Sequence, residues 1–196
     1  PIAKLENVLT QGASGDTATT ASIYSIYHCL ARYVYTNTSS GAYIGVGAAV
    51  SGVSGVTSTE IKPVLPAYGS GTRKYFLSKI GITDSSSVMN QYSCVTAVDG
   101  SSNPINENNG TATAAIGAGA LAPYSIGQYV AQAKSATTGV TDVRNNTVLL
   151  NVNAIAPTTG SGATLAPNSA YAAMVRKVGK HEPLLSRVWA ANLQAI

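Results

Sequence analysis

Residues 65–77, Leu-Pro-Ala-Tyr-Gly-Ser-Gly-Thr-Arg-Lys-Tyr-Phe-Leu, decide the fold that this sequence predicts. The apolar residues of segment 61–65 indicate a strand, and Pro66 ends it because proline cannot donate to a sheet ladder. Ser70 or Thr72 can then cap a helix, since apolar residues follow both of them at helical spacing. The stretch therefore predicts a strand, a tight glycine turn and the first turn of a helix.

The turn within this stretch has the features of an oxyanion site. Gly69 and Gly71 allow backbone angles that other residues resist. The first turn of a helix carries unpaired N–H groups and a partial positive charge, which both favour a bound anion. Arg73 and Lys74 add formal positive charge. An ordinary capped helix without a ligand is the alternative, because short Gly/Ser turns are common.

Charged residues make up only 10% of the 196-residue chain, against a typical value of about 25%. So little charge fits an extracytoplasmic protein, or a subunit packed into an assembly, better than a cytosolic enzyme. The net charge of +4 comes from basic residues that are mostly scattered, and no basic stripe with interleaved aromatic residues indicates a nucleic-acid partner. The apolar stretch 42–56 is too short and too rich in Gly and Ser to span a membrane.

The two cysteines, Cys29 and Cys94, leave two alternatives open. Two cysteines are too few for a disulfide framework, but they suffice for one bridge in an oxidising compartment. A pair of buried thiols fits the sequence equally well. Their spacing along the chain does not decide between the two.

The order of the predicted elements indicates an α/β fold. Strands that alternate with helices favour a mainly parallel sheet flanked by helices. The uncharged segment 33–59 predicts short strands or an extended glycine-rich loop. We expect residues 1–155 to form one α/β lobe and residues 156–196 to form a Pro/Gly-rich loop and a helical tail. The helices are expected at 17–30, 70–79, 85–91, 111–117, after Ser125 and beyond residue 168, and the strands at 61–65, 120–124 and 148–152.

Residue types that carry catalysis or bind metals are scattered along the chain. The eight acidic residues are dispersed, and His28 and His181 have no metal-ligand spacing to each other or to cysteine. The Gly-Ser-Gly-Thr turn lacks the Lys-Ser/Thr of a phosphate-binding P-loop, and G-x-S-x-G does not occur. We therefore expect a binding or structural protein rather than an enzyme, with no cofactor and no metal.

Four segments, taken in order, resemble one protein family. They are Ser-Ile-Tyr-His-Cys at 25–29, the run from Ile61 to Leu77, Glu-Asn-Asn-Gly-Thr at 107–111, and Leu-Ala-Pro-Tyr-Ser-Ile-Gly-Gln-Tyr-Val-Ala-Gln at 121–132. Together they resemble the phosphate-binding-protein-like substrate-binding proteins of bacterial ABC importers, in particular the actinobacterial branch. Such proteins hold their ligand between two α/β lobes. The resemblance implies a single lobe, the second, of a type II periplasmic-binding-protein fold with an irregular C-terminal tail.

The resemblance also implies a set of ligand contacts. In this family the Gly-Ser-Gly-Thr turn holds phosphate with its backbone N–H groups and hydroxyls. Carried over to this sequence, the turn assigns Ser70, Gly71 and Thr72 as ligand contacts and Gly69 as the residue that shapes the turn. The helix start at Ser125 is expected to line the same cleft.

Location and partners follow from the same resemblance. Cys29 and Cys94 fall where this branch carries a cysteine pair, which favours a disulfide. The implied location is secreted or in the cell envelope. The implied partners are a small oxyanion such as phosphate, and an ABC importer or a first lobe supplied from outside this sequence; no nucleic acid is expected.

The sequence departs from the family just before the turn. Pro66 and Tyr68 stand where the well-known phosphate binders have an arginine and an aspartate. The anion loop of the first lobe has no counterpart either. An alternative function therefore remains: a structural protein that self-associates into a homo-oligomer, filament, coat or surface layer. The low charge and the apolar, glycine-rich segment 34–56 favour it.

Overall fold

The computed structural model, which describes residues 2–171 and 192–194, contains both helices and strands. The mixed α/β character of the prediction is confirmed. The α-helices are α1 Ile23–Tyr27, α2 Gly71–Lys79, α3 Gly110–Ala115, α4 Ile126–Ala133 and α5 Ser135–Thr138. The strands are β1 Tyr33–Asn37, β2 Tyr43–Gly47, β3 Val56–Glu60, β4 Lys62–Pro63, β5 Ala120–Leu121, β6 Thr147–Leu149, β7 Thr158–Thr159, β8 Ala166–Pro167 and β9 Asn192–Gln194.

The strands form several small sheets, most of them antiparallel. β1 lies between β2 and β3 and is antiparallel to both. The β6–β9 and β7–β8 pairs are antiparallel as well, and β4–β5 is the one parallel pair of strands in the described part of the chain. The mainly parallel sheet is therefore not confirmed. The β1–β2 and β7–β8 pairs are joined by short connections, which favour antiparallel pairing because a parallel pair needs a long crossover.

The strand before the glycine turn lies in a short parallel layer. β4 pairs with β5 on one side, and a parallel bridge joins Val64 to Thr96. The buried hydroxyl of Tyr27 lies 3.1 Å from the carbonyl oxygen of Val64 and 2.7 Å from that of Leu121, so α1 is tied to both strands. Because parallel strands end at the same edge, the starts of α2 and α4 lie on the same side of this layer.

The core consists mainly of one cluster of buried apolar side chains. Residues from Leu5 to Tyr171 contribute to it, including α1, α2 and the inner face of β1. A smaller second cluster lies under α3 and β5, and its members are Val64, Ile105, Ala120 and Ala122. The larger cluster includes Leu65 before the glycine turn and Phe76 and Leu77 after it, so it holds the turn in place. The expected division of the chain at residue 155 stays a prediction.

Helix α1 is shorter than the sequence predicted. A helix was expected at 17–30, but α1 covers only Ile23–Tyr27 and begins after its N-cap Ser22. The carboxylate of Asp16, which directly precedes the expected helix, accepts hydrogen bonds from the hydroxyl of Ser22 and the amide of Ala13. Asp16 therefore closes the preceding turn instead of starting a helix.

Other segments follow the prediction in part. The strand expected at 148–152 is β6, and the helix expected at 85–91 is reduced to a 3-10 turn at Val88–Asn90. The uncharged segment 33–59 forms β1, β2 and most of β3, as the short-strand alternative predicted. The helical tail lies largely outside the described residues. Among those residues, no helix has both the length and the apolar character needed to span a membrane.

Cys29 and Cys94 form a disulfide with an S–S distance of 2.05 Å. The bridge is confirmed, and the alternative of two buried thiols is excluded. It joins the chain just after α1 to the segment that bridges Val64. The disulfide therefore fixes α1 against the parallel layer, in addition to the hydroxyl contacts of Tyr27.

Candidate functional site

The glycine turn places the start of α2 at the end of the parallel layer. Gly69 has a φ of +94°, which lies in the region that favours glycine, so the chain reverses there. Ser70 is the N-cap, and its hydroxyl oxygen accepts a hydrogen bond from the amide of Arg73 at 3.1 Å. Gly71 and Thr72 are the first two helical residues. The four residues predicted as the turn of an oxyanion site thus form a capped helix N-terminus.

A carboxylate of the same chain occupies this helix start. Oε2 of Glu107 accepts a short hydrogen bond from the hydroxyl of Ser70 and a second one from the backbone amide of Thr72 at 3.2 Å. A carboxylate is itself an oxyanion, and a helix N-terminus stabilises it through its N–H groups and its partial positive charge. The turn therefore has the donors of an oxyanion site, and Glu107 uses them.

One further donor at this helix start is left without a partner. The hydroxyl oxygen of Thr72 is buried and makes no hydrogen bond in the structure, and only 7% of the residue is exposed. It belongs to the same residue whose amide donates to Glu107. A buried hydroxyl without a partner costs free energy, so an acceptor oxygen within its reach would be stabilised by it.

Ser125 reaches the same region through a loop and not through direct contact with the turn. Its hydroxyl caps α4 by accepting from the amide of Gln128. Its own amide donates to Oδ1 of Asn108 at 2.7 Å, and Asn108 follows Glu107 directly. The next residue, Asn109, is the N-cap of α3. Residues 107–109, here called the junction loop, thus contact the starts of α2, α3 and α4.

Two polar side chains, those of Tyr124 and Gln132, hold the backbone of the junction loop through hydrogen bonds. The hydroxyl of Tyr124 donates to the carbonyl of Asn108 at 2.6 Å and to Oε1 of Gln132 at 2.8 Å. Nε2 of Gln132 donates to the same carbonyl at 2.9 Å. Burial raises the pKa of Tyr124 to about 12, although the hydrogen bond with Gln132 lowers it in part. The phenol therefore stays a neutral donor, and the loop backbone stays fixed.

Arg73 does not contribute its charge to the turn. Its side chain is 2% exposed, and Nε donates to Oδ1 of Asp84 at 2.9 Å. The terminal nitrogens donate to the carbonyls of Pro66 at 3.2 Å and Ser85 at 3.0 Å. The guanidinium thus holds the chain after the strand and the loop after α2 in place through these contacts. The donors that contact Glu107 at the start of α2 are a hydroxyl and a backbone amide.

The structure brings together the predicted residues Gly69, Ser70, Gly71 and Thr72, and it connects Ser125 to them through the junction loop. Sequence reasoning missed Glu107 as part of the site. The local sequence carried no signal for this contact, because the acid stands directly before Asn-Asn-Gly, a sequence that caps α3 and not α2. No group of three or more His, Cys, Asp or Glu side chains able to hold a metal ion occurs in the part of the chain that the structure describes.

Comparisons with protein-family models, with curated proteins and with solved structures found no match to this chain.

Proposed function

We propose that this chain is an extracytoplasmic solute-binding protein that recognises a small oxyanion, such as phosphate, at the start of α2. The observation that supports the proposal is the carboxylate of Glu107 seated on the hydroxyl of Ser70 and the amide of Thr72. In the structure these two groups donate hydrogen bonds to the carboxylate of Glu107, which is itself an oxyanion. The hydroxyl of Thr72, which has no partner, adds a third donor. We infer that the fold is a binding-protein lobe, and we propose neither an enzymatic activity nor a nucleic-acid partner.

The binding energy of such a site is small. Arg73 does not pair the ligand, because it is bound to Asp84, and each hydrogen bond from an uncharged donor contributes only about 1–2 kcal/mol net. We therefore expect weak binding, in the millimolar range, by this chain alone. A first lobe or an ABC importer that closes over the turn would exclude water and raise the affinity. The disulfide is compatible with such an extracytoplasmic setting.

Isothermal titration of phosphate into wild type, Thr72→Val and Thr159→Val tests this function. Valine keeps the shape of threonine and removes the hydroxyl. We expect Thr72→Val to bind phosphate about fivefold more weakly, as the loss of one hydrogen bond of about 1 kcal/mol implies. Thr159 is exposed in β7, so its variant controls for the substitution itself.

Two results would contradict the proposal. One is the absence of saturable heat from wild type up to about 20 mM phosphate, a concentration at which millimolar binding is evident. The other is equal binding by Thr72→Val and Thr159→Val, which would place the bound anion away from α2.

A second candidate function, self-association, is favoured by a surface of the β1–β3 sheet. Ile44 in β2 is 51% exposed, and Val50 and Val53 in the connection from β2 to β3 are each 66% exposed. β2 and β3 are the outer strands, and residues 33–59 carry no charge that would discourage edge pairing. We propose that this surface mediates a homo-oligomer or larger assembly if the chain has a structural role.

Sedimentation velocity over a range of protein concentrations tests the assembly. We expect Val53→Lys to shift wild-type oligomers toward monomer, because a charge buried in an apolar contact is costly. Val98→Lys is the matched control, since Val98 is also exposed but lies outside the sheet. A wild type that stays monomeric at the highest concentration, or equal effects of both variants, would rule out this surface as the contact.

A further inference from the structure

We propose that Glu107 is a built-in competitor of the ligand, so that an oxyanion binds α2 only when the carboxylate of Glu107 leaves it. This inference rests on the proposed function and adds the regulation of the same site. A ligand oxygen at the start of α2 needs the hydroxyl of Ser70 and the amide of Thr72, and Oε2 of Glu107 accepts from both. Glu107 and the ligand are therefore mutually exclusive.

The site is nevertheless incompletely satisfied by Glu107. A carboxylate has two oxygens: Oε2 lies on α2, and Oε1 accepts from Nδ2 of Asn108 at 3.3 Å. The buried hydroxyl of Thr72 has no acceptor to which it could donate. A tetrahedral oxyanion has four oxygens and can take the same two donors while it also accepts from this hydroxyl. The unused donor thus favours exchange of the carboxylate for a phosphate- or sulfate-like anion.

The exchange moves the side chain of Glu107 away from the start of α2. The backbone that carries it is fixed, because Tyr124 and Gln132 both donate to the carbonyl of Asn108, and Oδ1 of Asn108 accepts from the amide of Ser125. A tethered carboxylate competes at a high effective concentration. The apparent affinity of the ligand is then reduced by the fraction of time for which the site is open.

Two variants of Glu107 distinguish the effect of its side chain occupying the start of α2 from the effect of its negative charge. Glu107→Ala empties the start of α2, whereas Glu107→Gln removes the charge but keeps an oxygen that can accept from the same donors. We expect the dissociation constant of phosphate, measured by isothermal titration, to fall by about tenfold or more in Glu107→Ala, as an open fraction near one tenth implies. Glu107→Gln should lie between this variant and wild type.

Rescue of stability by added anions provides a second readout. Glu107→Ala loses a capping carboxylate, so its melting temperature should fall, and added acetate should restore part of it by occupying the vacated donors. Acetate should leave the melting temperature of wild type unchanged at the same concentration, with sodium chloride as the ionic-strength control. This measurement does not depend on phosphate affinity, and it also detects a variant that is merely unfolded.

The outcomes distinguish the inference from the function on which it rests. If wild type binds phosphate and Glu107→Ala binds no more tightly, the competitor role is wrong and the proposed function stands. If Glu107→Gln and Glu107→Ala gain equally, charge repulsion alone explains the gain, and the occupancy role is again overturned. If neither wild type nor Glu107→Ala binds phosphate, the proposed function itself fails.

Discussion

Arg73 and Glu107 carry the two opposite charges next to the glycine turn, and each has its own partner. The guanidinium of Arg73 is paired with Asp84 in the interior, while the carboxylate of Glu107 is held by uncharged donors at the start of α2. A charge away from water needs such partners, because desolvation otherwise costs several kcal/mol. The positive side chain of Arg73 therefore holds the interior together, and the negative side chain of Glu107 lies on the start of α2.

Because the side chain of Arg73 that pairs with Asp84 is buried, we expect even a conservative substitution of Asp84 to lower the free energy of unfolding strongly. Asp84→Asn keeps an acceptor oxygen but leaves the charge of a guanidinium that is 2% exposed without compensation. We expect the free energy of unfolding, measured by urea denaturation, to fall by about 3 kcal/mol.

Glu60→Gln is the control for this prediction, because Glu60 pairs with Arg32 at the surface, where both side chains are more than one third exposed. Its effect should stay below about 1 kcal/mol. Similar losses in the two variants would show that burial does not determine the strength of the Arg73 pair.

Sequence reasoning located the donors of the candidate site but not their occupant. Ser70 and Thr72 were predictable because a cap and the first helical amides are local features of the chain. Glu107 was not, since it lies 37 positions from Ser70 and no periodic pattern reports a contact at that separation. The commitment of Arg73 to Asp84 was missed because sequence does not show that a charge is buried.

The starts of α2 and α4 were predictable from the sequence, the start of α1 was not, and strand pairing was the least predictable feature. α2, α3 and α4 begin after Ser70, Asn109 and Ser125, each of which caps its helix with a side-chain oxygen. The two-residue strands β4 and β5 were expected as longer strands of a large parallel sheet. Pairing depends on which segments meet in space, and hydrophobic runs of two to five residues do not specify that choice.

The disulfide links the chain just after α1 to the segment that bridges Val64. We expect its removal to lower the free energy of unfolding. Cys29 and Cys94 close a loop with a sequence separation of 65 residues. The chain-entropy estimate for such a loop is about 4 kcal/mol of stabilisation, since the cross-link restricts the unfolded chain. We expect the double variant Cys29→Ala/Cys94→Ala to lose about this amount in urea denaturation.

Reductant supplies the control for the disulfide. It should lower the urea midpoint of wild type and leave that of the double variant unchanged. A wild-type midpoint that does not respond to complete reduction would contradict a stabilising role of the bridge.

The interior of the whole molecule holds several phenols, and burial keeps them protonated. Burial raises the pKa of Tyr27 and Tyr171 and raises the pKa of Tyr124 to about 12. An unfolded chain ionises its tyrosines near pH 10. Stability is therefore fully present below about pH 10, and it is lost as the pH rises toward the folded pKa, because only the unfolded state releases protons in that window.

Urea unfolding between about pH 8 and pH 12 tests this prediction. The free energy of unfolding should fall above about pH 10, and Tyr124→Phe should reduce the slope of that fall because one raised pKa is removed. Tyr68→Phe is the control, since Tyr68 is exposed. A slope that Tyr124→Phe leaves unchanged would show that this phenol is not protected in the folded protein.

The distance along the chain between Ser70 and Glu107 has a consequence for biosynthesis. A protein is synthesised from its N-terminus, and its earlier parts can fold while later residues are still in the ribosome. For the time needed to add the next 37 residues, the start of α2 has no internal carboxylate to bind. A nascent chain that ends before Glu107 therefore lacks the carboxylate that lies on the start of α2 in the completed fold.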